Sequence, residues 1–446
     1  MNRYLRKILI ILFWLAVWQA VVAVAGDNLF VAGPVEIVQR LAEYIKTADY
    51  WKTTAMSFSR IGLGFAASFI LGICMAFCAD RSSLFGELTE PVILTMRTIP
   101  VASFVVLLLI FAGAENLSFY VTFMVVLPII YSNMQQGLGS VDASLMEYAK
   151  VYRIKRNVAD RYIVRPAYMP YLISGAKTAS GMGIKSGVAA EIIGLPVWSV
   201  GSEMYMSKIY FDTAGVFAWT VTAIILSALL ESVVLLVLKA FWRNSERYSG
   251  GVVRMPYGES EGSFVVRNIS KAYNGRMIIG DFSKELLPGH IYAVAGASGA
   301  GKTTLLKMLA GVVKPDRGEI KPYDVVMMFQ EDRLIPSLSA IDNIRLVTGS
   351  SDIDEYMKKC GLSECGNRKI SELSGGMSRR VALLRALLTD SKCIILDEPF
   401  NGLDEENRRQ VADVIRELGR GRIIIISQHE KGENDYLDAE LITLDL

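Results

Sequence analysis

The run Gly296-Ala297-Ser298-Gly299-Ala300-Gly301-Lys302-Thr303 fits the pattern G-x-x-x-x-G-K-[ST] and follows the apolar stretch Ile291 to Ala295. Glycines at this spacing let backbone N–H groups turn inward around phosphates, while Lys302 reaches the outer phosphates and the Thr303 hydroxyl is suited to ligate Mg²⁺. Thr304, next in line, is counted with the nucleotide-binding residues. A second run, Cys393-Ile394-Ile395-Leu396-Asp397-Glu398, is apolar until it ends in two acids. Asp397 there would orient Mg²⁺ and Glu398 the attacking water, so the two runs together predict metal-assisted hydrolysis of a nucleoside triphosphate.

That chemistry dictates the elements around it. The glycine loop needs a strand before it and a helix from about Lys302, whose positive end adds to the same anion site. The acids need a strand buried on both faces, as in a parallel sheet that presents carboxylates at its carboxyl edge.

Just upstream of the acidic run lies Leu373-Ser374-Gly375-Gly376-Met377-Ser378-Arg379-Arg380, opening the helical stretch Val381 to Leu388. With these three motifs in this order, residues 264–446 resemble the ATP-binding cassette ATPases, α/β P-loop domains that use ATP and Mg²⁺. The resemblance implies that Ser374 and the Gly375 and Gly376 amides cap a helix facing the γ-phosphate held by a second ATPase copy. It further implies Tyr273 as an adenine-stacking aromatic, Gln330 as the loop glutamine near Mg²⁺, and Asp404 after the acidic strand. His429 would sense the γ-phosphate and join Glu398 as a catalytic residue, whereas His290 receives no role. The chain departs from the pattern in short spacings from Gly296 to Gln330 and from Gln330 to Ser374, which predict a reduced antiparallel or helical subdomain. Gln428 stands where Thr is common and Asn401-Gly402 where Ser-Ala is typical; neither removes a charge needed for hydrolysis.

The front half has a different composition. Hydrophobic residues make up 52% of the 446-residue chain, too many for an ordinary soluble protein, and the excess lies before residue 243. Apolar stretches run from Ile8 to Ala25, Phe58 to Ala79, Val92 to Ala112, Leu117 to Leu138, Ala179 to Leu195 and Val216 to Phe241. Each is near the roughly 20 residues that cross a bilayer, so a six-span helical bundle is expected. The first could instead be a cleaved signal peptide, since Ala23-Val24-Ala25 follows a basic start, but its length exceeds the usual signal core. Arg3, Arg6 and Lys7, the cluster Lys150, Arg153, Lys155, Arg156, Arg161 and Arg165, and Lys239, Arg243 and Arg247 mark cytoplasmic segments. Six crossings return the chain to the side that holds ATP. The expected organisation is a membrane domain over 1–243, a polar linker over 244–263 and an ATPase over 264–446, in a cell membrane with the ATPase in the cytoplasm.

The basic segment between the fourth and fifth stretches carries Glu147-Tyr148-Ala149, Arg165-Pro166 and Met169-Pro170. It resembles the cytoplasmic coupling loop of binding-protein-dependent import permeases, which implies two short helices docked on the ATPase through positions such as Glu147, Ala149, Arg153 and Pro166. Arg153 stands at the turn where that family has glycine; a side chain resists positive φ, so the turn should differ or be rebuilt around a salt bridge. Ala189-Ala190-Glu191-Ile192-Ile193-Gly194 and Phe211-Asp212-Thr213 resemble the subgroup that moves alkanesulfonates, taurine, nitrate or thiamine-pyrimidine precursors. Glu191 either touches the pathway or pairs with Lys185 inside the bundle.

A flexible linker of the length of 244–263 spans about 25 Å on average, enough to let the ATPase dock under its own bundle. The resemblance implies a homodimer with two nucleotide sites, fed by a separate extracytoplasmic solute-binding protein. An exporter without such a partner and a membrane-tethered regulatory ATPase are the alternatives; the import-type loop disfavours the first, and Glu398 with His429 the second. Lys and Arg total 47 against 45 Asp and Glu, so no polyanion-binding face is indicated and nucleic acid is not an expected partner. Cys74 and Cys78 lie one helical turn apart, and Cys360, Cys365 and Cys393 fall in the half where thiols stay reduced, without the histidines a metal site would need.

Overall fold

The structure, a computed structural model, describes residues 3–25, 32–243, 254, 255, 257, 262–297, 299–428 and 436–444. The chain divides into two compact units, one of residues 1–140 and 168–241, the other of residues 141–167 and 242–446.

The first unit is helical. It begins with α1 (Arg3–Ala25), α2 (Pro34–Tyr44), α3 (Ala48–Arg81), α4 (Ser83–Thr98) and α5 (Val101–Gly139). The chain then passes through α6 (Ala143–Val151) and α7 (Arg156–Ala159), which belong to the second unit, and returns along α8 (Arg165–Gly194), α9 (Val200–Ile209) and α10 (Thr213–Arg243). Polar caps set several starts: the Thr47 hydroxyl accepts from Tyr50 N at 3.3 Å ahead of α3, and Ser82 does the same for Phe85 N ahead of α4. The buried faces of α3, α5 and α8 meet through Ile61, Phe65, Leu117, Val121, Val126 and Ile184. Small residues permit this approach; a Cβ on Gly187 would lie 2.6 Å from Ile61 Cγ1 and 2.8 Å from Thr122 Oγ1.

Among the described residues, α3, α5 and α10 are the helices long and apolar enough to cross a membrane. The expected span Val92 to Ala112 is not one helix. Ile99 and Pro100 stand at ψ 127° and 125° and separate α4 from α5, because proline lacks a donor and disfavours helical geometry in the residue before it. Inside α5, Gly113 at φ 71° and ψ 168° divides two helical halves. The stretch Ala179 to Leu195 lies in α8 up to Gly194, and Leu195 turns away at φ 51°.

The second unit is α/β. Its strands and helices are β1 (Phe264–Tyr273), β2 (Arg276–Leu286), β3 (Ile291–Ala295), α11 (Lys302–Leu309), β4 (Arg317–Ile320), β5 (Val325–Met328), α12 (Ala340–Arg345), α13 (Ile353–Lys359), α14 (Gly375–Leu387), β6 (Cys393–Asp397), α15 (Glu405–Leu418), β7 (Ile423–Ser427) and β8 (Glu440–Thr443). A parallel sheet runs in the order β5-β6-β7-β3-β8, and a small antiparallel sheet in the order β2-β1-β4. β6 and β7 are buried throughout, which is why both read as unbroken apolar runs. This order puts β7 between the strand that feeds the glycine loop and the strand that ends in acids, with Ser427 paired to Val294 on one side and Asp397 on the other.

Candidate functional site

The glycine loop follows β3 as expected and opens α11 at Gly301, which takes φ 85° and has no room for a side chain, since a Cβ would fall 2.7 Å from Ile278 Cγ2. The loop therefore needs glycine there twice over, for its conformation and for its contact with β2. Lys302 is buried and its ammonium donates to the carbonyls of Gly296 at 2.7 Å and Ala297 at 3.2 Å, so the cation is held within the arch of the loop. Ser298 lies outside the described residues.

Asp397 ends β6 with 1% of its surface exposed. Its Oδ1 accepts from the Ser427 hydroxyl at 2.6 Å, and the Thr303 hydroxyl lies close enough to the carboxylate to favour its charged form. Burial pushes the Asp397 carboxyl above the usual range, the Ser427 hydrogen bond opposes that shift, and the charge of Glu398 adds to it. Its Oδ2 is buried and has no hydrogen-bond partner among the described residues. A buried carboxylate oxygen beside a threonine hydroxyl is a hard-oxygen donor set with a position left for a cation, and it fits Mg²⁺.

Glu398 follows with φ 53°, a left-handed conformation that costs a non-glycine residue free energy and turns its side chain off the strand. Its Oε2 accepts from Gln330 Nε2 at 3.3 Å and Asn401 Nδ2 at 3.2 Å, while its backbone amide donates to Ser427 Oγ at 2.9 Å. The loop glutamine and the second acid of the strand are thus brought together. Asn401, a departure from the family's Ser-Ala, holds the same carboxylate.

Two residues of this site carried no assignment in the sequence. Ser427 binds both acids at once, through Asp397 Oδ1 and the Glu398 amide. Arg379, buried in α14, donates to the carbonyls of Phe329 at 2.9 Å, Gln330 at 2.7 Å and Glu398 at 2.7 Å, to the carbonyl of Asp397, and to Asp332 Oδ1 at 3.1 Å. It ties the end of β5, the end of β6 and α14 into one body. Ser427 was legible only as the polar end of an isoleucine strand, and Arg379 only as a charge inside the motif that starts at Leu373.

Ser374 caps α14, its Oγ accepting from Met377 N at 3.3 Å, and Ser374 and Gly375 are exposed. Tyr273 is 47% exposed at the end of β1, with the Lys271 ammonium 5.5 Å from its ring centroid. Asp404 caps α15: its Oδ1 accepts from Asn407 N at 2.9 Å, and this bond holds its carboxyl below the usual range. His429 lies outside the described residues.

The segment 141–167 packs into the same core as the parallel sheet. Tyr148 and Tyr152 of α6 are fully buried, and the Arg385 guanidinium sits 4.0 Å and 5.4 Å from their ring centroids. Glu147 pairs with Arg333 at 2.8 Å, and Ala149 is buried beneath the turn, its carbonyl accepting from Ile154 N at 2.8 Å. Arg153 adopts φ 52°, the glycine-like conformation its side chain was expected to resist, and its guanidinium pairs with Asp324. The turn is kept rather than altered, and a salt bridge accompanies it. Pro166 has no N–H to give the Tyr162 carbonyl four residues back; a π-helical turn, Asp160–Val164, leads into it, and that carbonyl accepts from Ser337 Oγ at 3.3 Å.

In the first unit Glu191 does not pair with Lys185. Glu191 is buried, and its Oε2 accepts from Ser57 Oγ at 2.8 Å and from Gly201 N at 3.2 Å in the first turn of α9; Lys185 lies on the exposed face of α8.

Residues 68–243 match the family model of the binding-protein-dependent transport system inner membrane component, and residues 279–401 match the ABC transporter model. The chain is 35% identical over 182 residues to an aliphatic sulfonates import ATP-binding protein of Pseudomonas savastanoi pv. phaseolicola, covering 38% of this chain and 67% of that one. It is 36% identical over 195 residues to an Fe(3+) ions import ATP-binding protein of Agrobacterium fabrum, covering 39% of this chain and 55% of that one. The chain thus spans about half the length of the ferric-ion relatives. A solved ATP-binding cassette, described as a dimer in a post-hydrolysis state bound to ADP and Pi, aligns at 23% identity and a TM-score of 0.37 over 41% of this chain and 94% of that chain.

Proposed function

We propose, from the premise that this chain belongs to the ABC transporter family and carries permease and ATPase parts on one polypeptide, that it is an ATP-driven importer of a small solute. The observation that carries this reading is the burial of Tyr148, Tyr152, Ile154, Tyr162 and Ile163 of the segment Glu147–Pro166 in the core of the ATPase unit, with the segment held through Arg333, Arg385 and Asp324. A docked segment of that kind gives nucleotide-driven movement a direct route into α8.

Lys302 and the loop amides hold the phosphates of ATP, Tyr273 stacks on the base, and Glu398, kept in place by Gln330 and Asn401, orients the attacking water. Asp397, Thr303 and Gln330 would hold Mg²⁺, which when bound neutralises charge on the transferred phosphoryl group. The exposed Ser374 and Gly375, with Gly376, meet the γ-phosphate of a second copy, so the working unit is a homodimer, and His429 completes the site as γ-phosphate sensor. The ATPase lies in the cytoplasm beneath a cell membrane crossed six times, with the linker 244–263 joining the membrane domain 1–243 to the ATPase 264–446.

The cargo is a solute of the sulfonate, taurine, nitrate or thiamine-pyrimidine-precursor kind, delivered by an extracytoplasmic binding protein. The relatives are named for cargoes of opposite charge, sulfonates and ferric ion, and the resemblance of Ala189–Gly194 to the sulfonate-type permeases favours the first.

The test is to trap the Glu398→Gln protein with ATP in native membranes, cross-link from the outer face and identify the captured protein by mass spectrometry. Capture of a solute-binding protein supports import, and its co-purified ligand names the cargo. Repeated trapping without one, while the unmodified chain hydrolyses ATP, would reverse the assigned direction to export.

A further inference from the structure

The linker was expected to act only as a flexible tether, yet its described residues close on the turn after α6. Arg254 bridges Ile154 in antiparallel fashion, and Met255 N donates to the Arg153 carbonyl at 3.0 Å. The Arg254 side chain is 5% exposed; its Nη2 lies 2.6 Å from Asp324 Oδ1, the same oxygen that pairs with Arg153. Arg254 also pairs with Asp390 and donates to Ser391 Oγ, and the Arg153 guanidinium lies 4.6 Å from the Tyr257 ring centroid. One carboxylate therefore joins the coupling turn and the linker to the ATPase.

Asp324 directly precedes β5, and Gln330, which holds Glu398, follows the same strand. Arg333, three residues beyond Gln330, pairs with Glu147 in the middle of α6. The two flanks of β5 thus grip α6 and the turn that follows it, and the second grip is shared with the linker.

We propose that Arg254 is a positioning residue that makes the linker a strap, holding the Arg153 turn on Asp324 so that movement around Gln330 is transmitted to the coupling segment. The inference rests on the reading of Glu147–Pro166 as that segment. Asp324 and Arg153 alone make a partly buried pair at the end of a strand. A second guanidinium and a backbone bridge add ligands to the same carboxylate and restrict the turn from the opposite side. Arg254 is remote in sequence and in contacts from the phosphate loop and from the acids of β6, so its loss leaves hydrolysis itself intact.

The test is hydrogen–deuterium exchange of the full-length chain in nanodiscs, followed over residues 143–166 with and without ATP. In the unsubstituted protein ATP alters exchange of this segment. Arg254→Ala raises its exchange at least tenfold and removes the ATP response, while KM for ATP stays within twofold. Arg254→Lys, which keeps the charge but not the fork, restores part of the response, an outcome a merely structural role would not produce. Met255→Pro removes the amide that donates to Arg153 while keeping Arg254, and loosens the same segment; it keeps the proposal testable should Arg254→Ala fail to fold. Exchange within twofold of the unsubstituted chain and an intact ATP response in Arg254→Ala would overturn the strap alone. An unsubstituted segment that ignores ATP would overturn the coupling reading, and the strap with it.

Discussion

Gln330 Nε2 donates to Glu398 Oε2 at 3.3 Å, joining the loop after β5 to the acid after β6 across the carboxyl edge of the sheet. The contact ties the carboxylate that would orient water to the loop that leads on to Arg333, the partner of Glu147. Glu398→Gln keeps size and hydrogen bonding and removes the charge. Hydrolysis should fall by about 10²–10³, in the range lost when a general base or a charge-stabilising group is removed, while ATP still binds. Steady-state ATPase assays beside equilibrium nucleotide binding check this, and turnover at the unsubstituted rate would remove Glu398 from the mechanism.

Contiguous motifs were legible in the sequence because each is one turn or one strand end: the Gly296–Thr303 loop, the acids at Asp397 and Glu398, and the Ser374 cap. Ser427 was not, since its role follows from strand order, which places β7 between β3 and β6. Arg379 was missed because its carbonyl partners come from loops after β5 and β6. In the membrane half, counting apolar residues passed over Pro100, which breaks a stretch that hydropathy alone joins. Glu191 and Lys185 are six residues apart and lie on different faces of α8, a separation that helical geometry places near 120°. Their charges suggested a pair; their faces forbid one.

Arg379→Ala should destabilise the second unit by about 3 kcal/mol. The substitution takes the guanidinium from the buried carbonyls of Phe329 and Asp397, while the Glu398 carbonyl keeps the Asn401 amide, and each acceptor left unsatisfied costs about 1–3 kcal/mol before relaxation. The apparent thermal midpoint of the ATPase unit, followed by tryptophan-independent calorimetry of the whole chain, should fall by several degrees. An unchanged midpoint would mean that other donors replace the guanidinium.

Gly187→Val tests the close approach of α3, α5 and α8. A Cβ alone meets Ile61 Cγ1 at 2.6 Å, so a branched side chain must push α3 away or strip Thr122 of its packing. Overpacking of this kind costs about 1–3 kcal/mol, and the chain should reach the membrane at a lower level and unfold at lower detergent concentration. Normal yield and stability would show that the helices separate more easily than their packing implies.

Arg153 sets two effects against each other. At φ 52° a side chain is disfavoured by roughly 1–2 kcal/mol relative to glycine, yet the guanidinium pairs with Asp324. Arg153→Ala loses the pair and keeps the backbone penalty. Arg153→Gly loses the pair and relieves the penalty, offset in part by the greater freedom glycine gives the unfolded chain. Because Arg254 still holds Asp324, neither variant leaves a buried carboxylate without a cation, and the lost pair itself is worth only about 1–2 kcal/mol. The glycine variant should therefore lie within about 1 kcal/mol of the unsubstituted chain and above the alanine variant by a similar margin. Apparent midpoints of the three proteins under one set of conditions decide it. If alanine matches or exceeds glycine, the left-handed turn at Arg153 is not the conformation the chain maintains.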